Sequence, residues 1–376
     1  MYNVEYETAD HAYINAASLL QYHGNTQTTR HFQKGTTTTK ELVHFSFTIT
    51  DPRQRLVFAR PINPAFAIAE VIWILSGSND LDWISFWNPR MRKFADKGVD
   101  YSYGAYGARL GSHPVDGATV HKAGVVSAFD QLFLAYKALK NNPISRQVVL
   151  NIYDNVYDMP GTAGQPASAD IPCNIASCLL VRDGKLNWLQ TMRSNDFIWG
   201  TPYNFMQWMS IQEIVAGWLE LELGDYSHVV NSLHVYDNHF DELAWIAASA
   251  DVSSERLPVN KSDLRVQGYE EWAGMFQYVF DLVKAIIAVD EYSSPIAKHD
   301  WLEGVEETIA WMSTTIPEAY KEWLYLLLAE VWMFKVGNEE QANNAIERTS
   351  QYYRTSWLQW RAYKEKLAHD KQQASL

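Results

Sequence analysis

Two apolar runs, Leu179-Leu180-Val181 and Leu186-Asn187-Trp188-Leu189, flank the dipeptide Asp183-Gly184. Asp-Gly favours a two-residue type I′ turn, whose twist matches that of two antiparallel strands. A chain with this hairpin builds a sheet, and the turn sets the register. Counted outward without a bulge, Arg182 faces Lys185, and Cys173 faces Ser194 with Arg193 alongside. A guanidinium beside a thiol lowers the thiol pKa and favours the nucleophilic thiolate. Arg and Ser together also clamp a phosphate, one by its bidentate fork and the other by its hydroxyl. A cysteine at the start of an apolar strand is more often a small buried hydrophobe. Its placement against Arg-Ser is what favours a nucleophile next to an anion site.

The chain of 376 residues is long enough for one large domain or two ordinary ones. It is 47% apolar with fifteen tryptophans, which supplies a large core and broad buried or stacking faces. A net charge of −13 argues against direct nucleic-acid binding, which needs a basic surface. A few arginines still suffice for a small anionic substrate. Cys173 and Cys178 point to opposite faces of one strand and do not suit a disulfide, as expected in a reducing cytoplasm. Met1-Tyr2-Asn3-Val4-Glu5 lacks the regions of a signal peptide. The apolar stretch from Trp323 to Phe334 is interrupted by Glu330 and too short to span a bilayer. These features predict a soluble cytoplasmic protein without a membrane partner.

Helical spacing marks residues 8–23, with Gly24 as a C-cap. Residues 24–40 are polar and Thr-rich and read as a mobile loop. Leu42 to Thr50 alternates as a strand, with a second possible at 55–59. Residues 65–75 are an apolar helix closed by Ser76-Gly77, and 98–111 a Gly/Tyr-rich loop. Residues 125–139 read as an amphipathic helix, 146–153 as a strand, and 202–223 as a helix ending at Gly224. His234 to Tyr236 lies in a short strand, and the pattern is helical from about residue 265. The polar stretch around 252–261 is the one clear linker candidate, dividing residues 1–258 from a helical extension, 259–376.

Glu70 is the lone carboxylate of an apolar helix. Burying it ionised is costly, and burial raises its pKa toward the range of a general acid–base group. The competing possibility, a solvated helix face, fits poorly with apolar residues on every side. Arg30, Arg146, Arg193 and Ser194 are candidate phosphate ligands. Asn204 follows Thr201-Pro202, where an N-cap competes with its capacity to offer a donor and an acceptor to a pyrimidine edge. His234 and Tyr236 share one side of a strand and can reach a sugar hydroxyl together. His234 and His239 have metal-like spacing but no thiol or carboxylate pattern nearby, so no metal is expected.

Together these residues resemble the thymidylate synthase family, including its pyrimidine hydroxymethylase branch. The most specific match is Arg193-Ser194-x-Asp196-x-x-x-Gly200-x-Pro202-Tyr203-Asn204, following Pro172-Cys173 at the family's interval. Supporting matches are Glu70-x-x-Trp73-x-x-x-Gly77, Tyr106-Gly107, Asp130-Gln131 ahead of Ser145-Arg146, and His234-x-Tyr236-x-Asn238-His239. The resemblance implies an α+β fold with a large, mostly antiparallel twisted sheet flanked by helices, plus the helical C-terminal extension. It implies that Cys173 adds to carbon 6 of a pyrimidine nucleotide, and that 5,10-methylenetetrahydrofolate supplies a one-carbon unit to carbon 5. Arg193, Ser194, Arg30 and, from the second subunit of a homodimer, Arg146 would hold the phosphate. Asn204 would read the base, His234 and Tyr236 the sugar, and Asp196, Trp73 and Asn174 would face the folate. Glu70 and Tyr106 would manage protons.

Departures from the family pattern favour one outcome over another. The usual Pro-Cys-His is Pro-Cys-Asn174, and the usual Ser-Arg-Arg is Ser145-Arg146-Gln147. The synthase's short closing tail has no counterpart; the chain ends in charged helical sequence. Hydride transfer to the exocyclic methylene requires a dry site, whereas water attack requires a wet one. The expectation is therefore a hydroxymethylase, with Asn204 favouring uracil and hence dUMP over dCMP, its product destined for modified DNA as in bacteriophages. A thymidylate synthase comes next, then a dCMP or CMP hydroxymethylase, then a nucleotide-binding protein that has lost catalysis.

Overall fold

The computed structural model describes residues 2–31, 35–111, 129–249, 257–312 and 314–374. Its strands are β1 (Tyr2–Tyr6), β2 (Asn25–His31), β3 (Gly35–Ile49), β4 (Val149–Asn151), β5 (Asn174–Arg182), β6 (Lys185–Met192), β7 (Asn195–Asp196) and β8 (Glu222–Tyr236). Its helices are α1 (Ala9–His23), α2 (Pro64–Leu75), α3 (Leu81–Trp87), α4 (Tyr106–Leu110), α5 (Gln131–Asn141) and α6 (Thr201–Trp218). The later helices are α7 (Phe240–Ala248), α8 (Tyr269–Ile287), α9 (Pro295–Trp311), α10 (Glu318–Val331), α11 (Glu339–Glu347) and α12 (Gln351–Ala374). The strands form one mixed sheet in the order β1-β3-β8-β6-β5-β4, with β2 on β3 and β7 on β8. The β2–β3, β3–β8, β5–β6 and β4–β5 pairs are antiparallel; β1–β3, β6–β8 and β7–β8 are parallel.

Several elements depart from the sequence reading, each for a physical reason. The Thr-rich segment is not a loop but a β-hairpin, pairing Thr28 with Thr38 and Thr29 with Thr37. Its β-branched threonines suit extended backbone better than their polarity suggests. Residues 55–59 form no strand, because side chains satisfy their backbone instead of a ladder. Asp10 Oδ1 accepts from Phe58 N at 2.6 Å and Ala59 N at 2.7 Å, and Tyr352 Oη accepts from Leu56 N at 2.5 Å. Helix α6 stops at Trp218; Glu220 turns the chain with a φ of 57°, and Gly224 lies inside β8. His234 and Tyr236 thus end a strand of fifteen residues rather than occupying a short one. Tyr106 begins a short helix within the expected loop. Helix α5 starts at Gln131, capped by Asp130, and the expected strand at 146–153 shortens to Val149–Asn151. Residues 125–128 and 252–256 lie outside the described residues.

Helix α6 is buried at every position except Tyr203, so it is an inner layer rather than a surface helix. On one side it meets β6 and β8. On the other, Trp218 packs against Trp272 and Tyr269 of α8 at ring separations of 4.7 and 5.0 Å. Helix α8 is long and apolar enough by composition to cross a membrane, yet Trp272, Phe276, Val279 and Val283 are wholly buried within the protein. One continuous core runs from Val4 to Trp357, so the C-terminal helices complete the same hydrophobic interior that supports the sheet.

Candidate functional site

The Asp183-Gly184 turn forms as expected, with φ values of 51° and 73°. The register holds from Arg182–Lys185 to Ala176–Thr191, then slips by one residue at Ile175, so Asn174 faces Met192. This bulge re-aims the strand end. Cys173 therefore faces Arg193 rather than Ser194, its carbonyl accepting from Arg193 N at 2.9 Å. The Arg193 guanidinium folds back onto the same loop: Nε donates to Pro172 O and Nη2 to Ile171 O, both at 2.9 Å, while Nη2 lies 3.8 Å from Cys173 Sγ. Burial pushes the Cys173 thiol above its ordinary pKa, and Arg193 opposes that only in part. The lowered pKa expected from sequence is not met, because desolvation outweighs a guanidinium already engaged by two carbonyls.

Helix α2 presents Glu70 to this loop. Asn63 caps it, accepting from Phe66 N at 3.0 Å, and Pro64 opens it. Glu70 is partly buried as a residue, but its Oε2 is sealed from water and has no hydrogen-bond partner among the described residues. Burial raises its pKa to about 8, with the Gln207 side chain opposing. Trp73, one turn on, is almost fully buried. Tyr106 reaches the same place because α4 rests directly on α2: a Cβ on Gly107 would lie 2.4 Å from Ile74 O. Arg109 locks α4 from behind through a buried pair with Asp158 at 2.5 and 2.9 Å. Burial raises the Tyr106 phenol, charge on Cys173 and Glu70 acts in the same sense, and the Asn174 amide opposes it. Cys173, Asn174, Glu70 and Tyr106 are thus one cluster.

Asn174 is wholly buried. Its Oδ1 accepts from Gln190 Nε2 at 2.8 Å, and Gln190 Oε1 accepts in turn from Ser177 Oγ at 2.5 Å and Trp188 Nε1 at 3.2 Å. Its Nδ2, near the Tyr106 phenol, makes no hydrogen bond of good geometry among the described residues. Sequence reasoning missed Gln190 and Ser177, although polar residues at inward positions of apolar strands were the available signal. It also missed Asp170, which accepts from Ser102 Oγ at 2.6 Å and Gly104 N at 3.0 Å and joins the Cys173 loop to the segment before Tyr106.

Asn204 is not a helix cap: Gly200 holds that position and Asn204 lies one turn inside α6, nearly buried. Its Nδ2 donates to Asn195 Oδ1 at 3.2 Å. Asp196 pairs with His234 across β7 and β8, and its Oδ1 accepts from Ile198 N and Trp199 N at 2.8 and 2.9 Å. Trp199 lies against the guanidinium groups of Arg60 at 4.9 Å and Arg90 at 4.6 Å. His234 and Tyr236 do face the same way, with ring centres 5.1 Å apart. Burial with nearby Asp196 and Cys173 pushes the Tyr236 phenol up to about 12. His239 accepts from Trp199 Nε1 at 3.0 Å and contacts Glu242 at 2.9 Å.

Two arginines stand apart. Arg30 is described only through its backbone, paired with Thr36; its side chain lies outside the described residues. Arg146 is exposed before β4. Val149 pairs antiparallel with Cys178, so Arg146 lies toward the turn end of β5 and Cys173 beyond its other end. The five residues from Cys173 to Cys178 alone span about 16 Å. Cavities of about 220 and 500 Å³ open among the C-terminal helices, lined by Glu306 and Arg348 and by His299 and Asn338. Neither touches this cluster.

The family model described as Thymidylate synthase matches residues 11–286. A deoxyuridylate hydroxymethyltransferase of Bacillus phage SP01 is 35% identical over 200 residues, covering 52% of this chain and 50% of the relative. A second, from Pseudomonas phage M6, is 32% identical over 200 residues, covering 52% of each. The chain spans about half the length of the curated relatives it matches.

Proposed function

Because this chain belongs to the thymidylate synthase family, we propose that it hydroxymethylates carbon 5 of a pyrimidine deoxynucleoside monophosphate, with dUMP the favoured substrate. The observation that carries this reading is a pair of buried polar atoms in the Cys173 cluster. Among the described residues neither Glu70 Oε2 nor Asn174 Nδ2 has a hydrogen-bond partner, and an ordered water with a donor on one side and an acceptor on the other would satisfy both. Such a water suits hydration of an exocyclic methylene. The phage relatives carry the matching name, deoxyuridylate hydroxymethyltransferase.

In this mechanism Cys173 Sγ adds to carbon 6 and makes carbon 5 nucleophilic. Methylenetetrahydrofolate supplies the one-carbon unit. Asp196 Oδ2, which makes no hydrogen bond among the described residues, would hold the pterin, and Trp199 with the exposed Arg90 offers an aromatic and cationic surface for an aromatic dianion. Trp73 backs the folate side. Arg193 keeps Nη1 for the phosphate beside Ser194, with Arg30 completing the clamp. Arg146 lies too far along the sheet to join within one protomer, which supports a homodimer in which a second copy donates it. His234 and Tyr236 bind the sugar and Asn204 the base. Tyr106 assists removal of the carbon 5 proton. Glu70, poised near neutrality, takes the proton of the attacking water.

We place the enzyme in the cytoplasm, a host's if phage-encoded, with its product bound for modified DNA. The extension beyond residue 258 packs on the catalytic part. Incubation with methylenetetrahydrofolate and dUMP, dCMP or CMP tests the substrate assignment. Turnover of dUMP ahead of both others is expected; preference for dCMP would overturn the base assignment, and binding without turnover the enzyme assignment.

A further inference from the structure

Asn195 has no role in the site as assembled so far, yet it is buried and holds the one residue that would read the base. Its Oδ1 accepts from Asn204 Nδ2 at 3.2 Å, and its Nδ2 meets His228 Nε2 at 3.2 Å. His228 Nδ1 meets Tyr226 Oη at 2.8 Å. Tyr226 and His228 have no exposure at all. The rest of the His228 ring is enclosed by Phe47 and Phe205, each 5.8 Å away, which supply no polar alternative. The contact also requires a glycine beside it: a Cβ on Gly200 would lie 2.7 Å from Asn195 Oδ1.

We infer that Asn195 is a positioning residue that selects the pyrimidine, by fixing the orientation of the Asn204 amide through the buried chain Tyr226–His228–Asn195. The inference rests on the proposed function, in which Asn204 reads the base. Burial lowers the His228 pKa to about 3, so the imidazole is neutral and has one donor and one acceptor nitrogen. With Asn195 Nδ2 donating to Nε2, the ring proton is on Nδ1 toward Tyr226, and Asn195 Oδ1 is left to face Asn204. Turning the Asn204 amide alone would set two oxygens against each other. Turning both amides together would require the other His228 tautomer, with the Tyr226 hydroxyl donating to Nδ1 instead of accepting, so the two amides and the ring change only in concert. With Asn204 Nδ2 set toward Asn195 Oδ1, the Asn204 amide offers the base one order of donor and acceptor. Uracil presents a donor at position 3 and an acceptor at position 4, whereas cytosine presents the reverse, so only one of them matches.

The test measures binding of dUMP and dCMP to the full chain by calorimetry, alongside kcat/KM for each. Asn195→Ala should lower the dUMP-over-dCMP preference about fivefold or more, since a matched bidentate base contact is worth at least that. Asn195→Asp retains an acceptor for Asn204 and should restore the preference, which a loss of packing alone would not do. Tyr226→Phe keeps the ring, frees the His228 tautomer and should lower the preference in the same direction, even if Asn195→Ala fails to fold. An unchanged dUMP-to-dCMP ratio in a folded Asn195→Ala, or in Tyr226→Phe where the former does not fold, overturns the inference and leaves the functional reading intact. A wild-type protein that binds neither nucleotide removes the functional reading and the inference with it.

Discussion

At the scale of single residues, burying the Glu70 carboxyl costs stability as pH rises. Glu70 has a folded pKa near 8 against an ordinary 4.5. Below the ordinary value both folded and unfolded chains hold the proton and no penalty exists. As pH rises the unfolded chain ionises first, so stability falls through this window and is lost past the folded pKa. Glu70→Gln should melt with the wild type near pH 4 and above it at pH 9, while turnover falls about 10²- to 10⁴-fold. A melting difference that does not grow with pH contradicts the buried carboxyl. Cys173 is raised by burial and partly relieved by Arg193. Its alkylation by iodoacetamide should therefore be slower than that of free cysteine at neutral pH, and Arg193→Gln should slow it further. Faster alkylation in that variant would contradict the geometry. Glu70 was legible in the sequence because a lone carboxylate among apolar neighbours is conspicuous. Asn195 and Gln190 were not, because a polar residue reveals its role only through the partner the fold brings to it.

At the scale of elements, the hairpin was legible in its turn and illegible at its end. Asp183-Gly184 announces the type I′ turn, but nothing in Asn174-Ile175-Ala176 announces the bulge that moves Cys173 from Ser194 to Arg193. The β2–β3 hairpin was misread because threonine is polar in composition and strand-forming in shape. Helix α2 depends on a contact that sequence spacing does not reveal. Glu330 of α10 accepts from Asn63 Nδ2 at 3.1 Å and from Trp357 and Trp360 Nε1 at 3.2 Å each. It thereby binds α12 and the α2 cap to one carboxylate. Glu330→Leu leaves these donors unpaired and should cost about 2–4 kcal/mol of stability in urea titrations. Turnover should fall as well, although Glu330 lies outside the site, because the cap of the Glu70 helix loosens. Unchanged stability would contradict the shared anchor.

At the scale of the whole molecule, the C-terminal helices are part of the core that holds α6 and its Asn204 in place. Their helical pattern was legible from residue 265 onward; their partners were not, because a periodic apolar stripe does not say which surface it covers. Trp272→Ala should cost about 3–5 kcal/mol, like other large deletions in a core. The distance of Arg146 from Cys173 makes the proposed dimer testable without a second structure. Mixed Cys173→Ala and Arg146→Ala subunits, each inactive alone, should recover about a quarter of wild-type activity, since random pairing leaves one intact site in half the dimers. No recovery after demonstrated exchange would contradict donation in trans.

In the proposed reaction water, not hydride, attacks the exocyclic methylene beside Glu70 and Asn174. Running the reaction on dUMP in water enriched in heavy oxygen, and weighing the nucleotide product, tests it most directly. The expected nucleotide is heavier by CH₂O, with the heavy oxygen in its new hydroxyl and tetrahydrofolate released. A methylated nucleotide without heavy oxygen, formed with dihydrofolate, would contradict it.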